Sequence, residues 1–150
     1  MRERLSIIVD TREQRPYVFP NCNVYRKALD AGDYSLRGYQ KWLRVERKSI
    51  GDWHSCLFRG ATRLRSQLSR LSSFRYALVV VEAALSKRFS FSQLDPEGKS
   101  RITASLLADH GVPIVFCCTR SLARTVTENY LRYAKQRIDC EGIEEEQEAV

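Results

Sequence analysis

Long apolar runs are missing from this 150-residue chain. No stretch approaches the roughly 20 residues that a membrane-spanning helix needs. The opening MRERLSIIVD also lacks the extended apolar segment of a secretory signal. A soluble, intracellular protein is therefore expected. Histidine is scarce, with His54 and His110 the two present, and the five cysteines (Cys22, Cys56, Cys117, Cys118 and Cys140) form no C-x-x-C pair. That number and spacing argue against structural zinc and against a disulfide framework, and they fit a reducing compartment. Internal repeats are absent as well. What remains is a chain with 43% apolar residues, enough for one core and one domain.

Charge is plentiful and unevenly placed. The formal net charge is +7, yet residues 139–150 hold six acids and no base, which leaves a net +13 on residues 1–138. Between residues 35 and 75, ten bases (Arg37, Lys41, Arg44, Arg47, Lys48, Arg59, Arg63, Arg65, Arg70 and Arg75) face two acids, Glu46 and Asp52. A body so basic suits a polyanion, and nucleic acid is the expected partner. A solvated surface is the plainer alternative for any one of these side chains.

Hydrophobic patterning predicts a strand over 5–10 (LSIIVD), a loop through Pro16, a second strand over 23–29 and a turn at 30–33. A hairpin is expected next, its arms YSL and WLRVERK meeting around Gly38. Ser49 fits a helix N-cap with Asp52 in the first turn. After Gly60, Leu64, Leu68 and Leu71 recur at helical spacing. The continuous apolar run 76–84 predicts a central strand covered on both faces. A connection over 85–98 leads to a helix opened by Pro96 and Glu97 and stopped at Gly111. A buried strand over 112–118 and a long helix over 119–137 follow, with Leu122, Val126, Tyr130, Leu131 and Ala134 as its apolar positions. Residues 139–150 read as a disordered acidic tail. The fold class expected is α/β, a central mixed sheet flanked by helices.

Alternation along WLRVERK places Trp42, Arg44, Glu46 and Lys48 on one face and Leu43, Val45 and Arg47 on the other. The hairpin brings Asp33 toward Glu46, and Asp10 lies at the end of the first strand. Two or three carboxylates converging beside a lysine suit a hard divalent cation such as Mg2+. Such an ion serves phosphodiester hydrolysis by polarising the phosphate and acidifying a water. Lys48 would orient that water and offset developing negative charge. An exposed Glu–Lys pair on a strand is the alternative, and a bare E-x-K carries little weight alone.

Taken together, VDTRE (9–13), AGDYSL (31–36), VERKSIGDW (45–53) and the R-x-x-x-Q of Arg63 and Gln67 resemble the nuclease core of the XPF-type structure-specific endonucleases. That family is a branch of the P-D-x(n)-(D/E)-x-K superfamily. A weaker likeness runs through VVVE (79–82) to about residue 135, and DTREQRPY is most like the small bacterial and phage members. The resemblance implies a restriction-endonuclease-like core. It gives Asp33, Glu46, Lys48 and Asp10 catalytic positions, with Asp33, Glu46, Asp10 and Glu13 around the metal. Arg12, Arg47, Asp52, Arg63 and Gln67 become DNA-binding or supporting positions. Mg2+ is the implied cofactor, with Mn2+ able to substitute, and the implied setting is a bacterial or phage-host cytoplasm.

Several roles stay open at this level. Arg47 fits a salt bridge to Asp52 or Glu13 as well as it fits a phosphate contact, and Asp52 fits a simple helix-start acid. Glu82 reads better as a loop acid than as a site residue. Arg63 and Gln67 fit the DNA backbone or a solvated helix face. The family's tandem helix-hairpin-helix module is not seen after the last helix, so a homodimer or a protein partner is expected to replace it. Leu122, Val126, Tyr130 and Tyr133 offer such a face, unless they pack on the sheet. The function expected is a Mg2+-dependent endonuclease cutting branched, forked or flap-like DNA in repair, recombination or replication. A non-catalytic DNA-binding or scaffolding module of the same fold is the alternative. An RNA-binding domain using Tyr39, Trp42 and Trp53 ranks last.

Overall fold

Short, strongly apolar segments bounded by Gly, Pro and Asp build the sheet, and two helical faces cover it. A computed structural model describes residues 3–59, 61–84 and 96–143. Among them are strands β1 (Ser6–Val9), β2 (Asn23–Arg26), β3 (Tyr34–Leu36), β4 (Leu43–Lys48), β5 (Tyr76–Val81) and β6 (Ile114–Phe116). Helices α1 (Ile50–Phe58), α2 (Thr62–Leu71), α3 (Pro96–His110) and α4 (Arg120–Cys140) complete the set. Gly60, which separates the two helical segments, most of the predicted 85–98 connection and the end of the predicted tail, 144–150, lie outside the described residues.

The strand order is β2-β1-β3-β4-β5-β6. β3 is antiparallel to both β1 and β4, whereas β2 runs parallel to β1, and β4, β5 and β6 are mutually parallel. The sheet is thus mixed and flanked by helices, as the hydrophobic pattern predicts. The ends of β1 and β4 and the start of β3 consequently meet at one edge of the sheet, where open α/β sheets place their ligands.

Alternation along β4 and β5 sorts the two cores. Leu43, Val45, Leu78 and Val80 pack with Ala123, Leu131, Ala134 and Ile138 of α4. On the opposite face Ala77, Val79 and Val81 pack with Trp53 and Leu57 of α1, Leu64, Leu68 and Leu71 of α2, and Leu106 of α3. Both faces of β5 are covered, although it lies second from an edge and β3 and β4 hold the middle. Trp42 precedes β4 and packs with the α4 core, not on the face of Glu46.

Helix ends follow local chemistry. Ser49 Oγ accepts from the Asp52 N–H at 3.1 Å, and Thr119 Oγ1 accepts from the Leu122 N–H at 3.1 Å. The buried stripe of α4 is Ala123, Thr127, Leu131, Ala134 and Ile138, rotated from the predicted one, so Leu122 is 49% exposed. Small residues on that stripe let the helix lie close on the sheet. α4 also continues past the expected boundary at 138. Asp139 accepts from the Tyr39 hydroxyl at 2.7 Å, and Glu141 pairs with Arg75 and with the Tyr76 hydroxyl. Acids read as the start of a tail therefore lock the end of α4 to the sheet.

The edge strands are shorter than their patterns suggest. β2 stops at Arg26 and is exposed throughout, and β6 is half-buried because its outer edge has no neighbour among the described residues. No described helix is long and apolar enough to cross a membrane.

Candidate active site

The edge where β1, β3 and β4 meet opens into a cleft of about 700 Å3. All ten residues singled out from the sequence line it: Asp10, Arg12, Glu13, Asp33, Glu46, Arg47, Lys48, Asp52, Arg63 and Gln67. They come from five segments, and the backbone explains how they converge. The Asp33 N–H donates to Val45 O and the Asp10 N–H donates to Asp33 O, both at 2.8 Å. Asp33 is therefore stitched between the end of β1 and the middle of β4. Gly32 makes that approach possible. Its φ is +75°, and a Cβ there would lie 3.2 Å from Val45 O and 3.3 Å from Arg44 Cβ.

Asp33 and Glu46 form the centre of the cleft. They lie close enough for the charge on Glu46 to act on Asp33, and Asp33 Oδ2 accepts from the Arg47 backbone N–H at 2.8 Å. Burial first, and then the neighbouring Glu46 charge, push the Asp33 carboxyl well above the usual carboxylate range. Burial likewise raises Glu46, while Lys48 pulls it back. Lys48 Nζ lies 3.3 Å from Glu46 Oε1 and donates to Gln67 Oε1 at 2.7 Å. Gln67 of α2 is thus a holder of the lysine, a role the spacing to Arg63 did not suggest.

The remaining residues divide between structure and rim. Both oxygens of Asp10 are engaged: Oδ1 accepts from the Leu29 N–H at 3.0 Å and Oδ2 from Arg12 Nε at 2.9 Å. Arg12 is 71% exposed in its side chain and also donates to Leu29 O, so Asp10 and Arg12 together anchor the loop that leads to Gly32. Asp52 steadies the start of α1, accepting from Ser49 Oγ at 2.8 Å while its own N–H donates to that oxygen at 3.1 Å. Arg63 is exposed on the cleft wall.

Arg47 points its side chain away from the pair. Its Nε donates to Glu82 Oε1 at 2.8 Å and its Nη1 to Glu13 Oε1 at 3.4 Å. Of the partners weighed from sequence, Glu13 is met and Asp52 is not. Burial lowers the tendency of Arg47 to hold its proton, but Glu82 and Glu13 outweigh it and raise it.

Three side chains around the cleft were not singled out as site residues. Tyr17 and Arg120 both donate to Glu82 Oε1, at 2.8 and 3.2 Å. Arg44, counted above among the polyanion-facing bases, is buried: it donates to Ala31 O and Asp30 Oδ1 at 2.9 Å and to Gln40 O, with Phe74 against its guanidinium. Arg65 and Arg75 also have acidic partners, Asp109 and Glu141. The basic run is therefore partly a set of internal clamps. Exposed Arg59, Arg63 and Arg70 remain available to a polyanion. Nothing in the local sequence separates them from Arg65 and Arg75, whose acids lie 44 and 66 residues away.

The donor set fits a divalent ion. Asp33 and Glu46 supply hard oxygen ligands whose mutual repulsion a cation would relieve. Among the described residues no three His, Cys, Asp or Glu side chains gather as a cage. Mg2+ commonly needs only one or two carboxylates, with water and substrate phosphate completing its shell.

Residues 9–128 match the family model described as the ERCC4 domain. The chain belongs to the ERCC4 domain family. Its fold is similar to that of XPF from Aeropyrum pernix, with 25% identity and a TM-score of 0.70, covering 89% of this chain and 67% of that one. The same XPF in complex with DNA gives 26% identity and a TM-score of 0.72, covering 89% and 66%. This ERCC4 domain thus spans about two thirds of those chains. No curated protein matches it. The matched region begins in β1 and ends within α4, so it contains every cleft residue named above.

Proposed function

We propose that this ERCC4 domain is a divalent-metal-dependent DNA endonuclease that hydrolyses phosphodiester bonds at branched, forked or flap-like DNA. The observation that carries this reading is the facing pair Asp33 and Glu46 with Lys48 3.3 Å from Glu46, at the base of a cleft bordered by exposed arginines. The DNA-bound state of the similar XPF supports the choice of polymer.

Asp33 and Glu46 would hold the ion, and Mg2+ is the one proposed, with Mn2+ able to replace it. Bound there, it would polarise the scissile phosphate and make a water acidic enough to serve as nucleophile near neutral pH. Lys48, steadied by Gln67, presents a compact positive charge that orients the attacking water and offsets charge as it develops. Arg63 and Arg70 on the rim bind backbone phosphates and fix the register of the strand without reading bases. Asp10, Arg12 and Glu13 hold the two loops that carry these groups.

The test is a panel of labelled duplex, single-stranded, flap, fork and four-way-junction DNA incubated with Mg2+ or Mn2+. The reading predicts cleavage, with the branched substrates cut faster than plain duplex. Equal rates on all of them would remove the branched-DNA part. DNA binding without cleavage of any substrate in either metal would favour a non-catalytic module of the same fold.

A further inference from the structure

Glu82 follows the end of β5 and does not line the cleft. A single oxygen, Oε1, nonetheless accepts three hydrogen bonds there: from Tyr17 Oη at 2.8 Å, Arg47 Nε at 2.8 Å and Arg120 Nη1 at 3.2 Å. Its side chain is 10% exposed. Nothing in the hydrolysis outlined above uses this acid.

Arg47 links this cluster to the carboxylate pair. Its backbone N–H donates to Asp33 Oδ2 at 2.8 Å, whereas its side chain crosses to the other face of the sheet and ends on Glu82. Arg120, the first residue of α4, uses Nη2 to donate to Arg15 O at 2.8 Å and Pro16 O at 3.1 Å. The loop carrying Arg12, Glu13 and Arg15 is thereby tied to the same acid. Tyr17 completes the arrangement, stacked on Tyr34 at 5.4 Å between ring centroids, next in sequence to Asp33.

We propose that Glu82 is a positioning residue: it holds the Arg47 guanidinium on the face away from Asp33 and Glu46 and so preserves that pair for a divalent cation. The inference rests on the metal-dependent reading above and adds a residue to it. Arg47 is a buried cation one peptide away from a site that must attract another cation. Paired with Glu82 it is neutralised. With Glu82 uncharged, Arg47 retains Glu13 alone, at 3.4 Å, and that carboxylate oxygen already accepts from the Arg15 N–H at 2.9 Å. The uncompensated charge then opposes metal binding and pulls on the peptide that orients Asp33.

The experiment is a Mn2+ titration of the full chain without DNA, read by the loss of the free Mn2+ electron-paramagnetic-resonance signal. Wild type, Glu82→Gln and Tyr17→Phe are compared, with circular dichroism to check the fold. Glu82→Gln keeps the shape and removes the charge; it is expected to weaken Mn2+ binding about tenfold, as loss of a group supporting metal ligands commonly does. Tyr17→Phe keeps the ring and removes one donor, and is expected to shift the affinity in the same direction by about two- to threefold. The Mg2+ concentration giving half-maximal cleavage should rise by similar factors. Wild-type Mn2+ affinity in a folded Glu82→Gln would overturn the inference alone, leaving Glu82 as a buried ion pair that only stabilises. If Glu82→Gln does not fold, Tyr17→Phe decides: a weakened titration supports the proposal, and an unchanged one overturns it. No Mn2+ uptake by wild type would overturn the metal reading beneath it, and the inference with it.

Discussion

Replacing Asp33 by asparagine should stabilise the protein when metal is withheld. Glu46 is buried and Asp33 half-buried beside it, and the Glu46 charge raises the Asp33 carboxyl. Two unit negative charges at a generic contact distance of about 4 Å repel by roughly 4 kcal/mol at an effective dielectric constant near 20. Lys48, 3.3 Å from Glu46, and the Arg47 N–H on Asp33 offset part of this, leaving a net cost of about 1–3 kcal/mol. Asparagine removes the charge while its carbonyl still accepts from Arg47, and its amide can donate to Glu46. For a domain of this size that gain corresponds to a rise in Tm of about 2–12 °C.

The effect has a defined pH dependence. Both carboxyls are raised above their unfolded values, so their share of stability is fully present below the ordinary carboxylate pKa of about 4 and is lost as pH rises through the folded values. The advantage of Asp33→Asn should therefore open as pH rises from 5 to 9. Thermal unfolding in EDTA across that range measures it. Mg2+ or Mn2+ should then raise the Tm of wild type and leave the variant nearly unmoved. A variant no more stable than wild type at the alkaline end, in EDTA, would refute the electrostatic picture of the site.

Gly32→Ala should cost about 1–3 kcal/mol, since a positive φ and a close approach to Val45 O both oppose a side chain there; urea unfolding checks it, and cleavage should fall with it because Asp33 is next in sequence. Arg44→Ala should destabilise by about 2–4 kcal/mol, because four carbonyl or carboxylate partners and packing on Phe74 are lost together. Its DNA affinity, measured on the folded fraction, should be nearly unchanged, and a large fall would restore Arg44 as a phosphate contact. Gln67→Leu should lower the single-turnover cleavage rate about tenfold with little change in DNA affinity, since Lys48 loses the partner that steadies it.

Much of this arrangement can be seen in the sequence because it depends on short-range alternation. The face shared by Glu46 and Lys48 follows from a strand period of two. The approach of Asp33 to Glu46 follows from the hairpin of β3 and β4, whose antiparallel pairing sets the residue before β3 beside the later part of β4. The apolar run 76–84 also announces a strand covered on both sides, although its place in the sheet depends on strand order, which alternation does not encode. The contributions that sequence misassigned depend on how side chains pack in three dimensions. Arg44 looked like one base among ten, and only its burial against Asp30, Ala31 and Gln40 makes it a clamp. Glu82 looked like a loop acid because its partners lie in β4, in the loop after β1 and at the start of α4. On α4 the pattern named Leu131 and Ala134, which are buried, but it chose Leu122 where the sheet takes the small side chain of Ala123. Leu122 and Tyr133, 61% exposed, face outward, so the partner-binding face proposed for α4 keeps those two residues, while Val126 and Tyr130 pack on the sheet.

Asp33, Glu46 and Lys48 are proposed to hydrolyse DNA together with a divalent ion. The most direct test is the single-turnover cleavage of a labelled fork in Mg2+ by wild type, Asp33→Ala and Lys48→Ala, with binding measured in parallel in Ca2+. Wild type should cut, and both variants should bind with near wild-type affinity yet lose cleavage by at least about a hundredfold. Cleavage by either variant at the wild-type rate would contradict it.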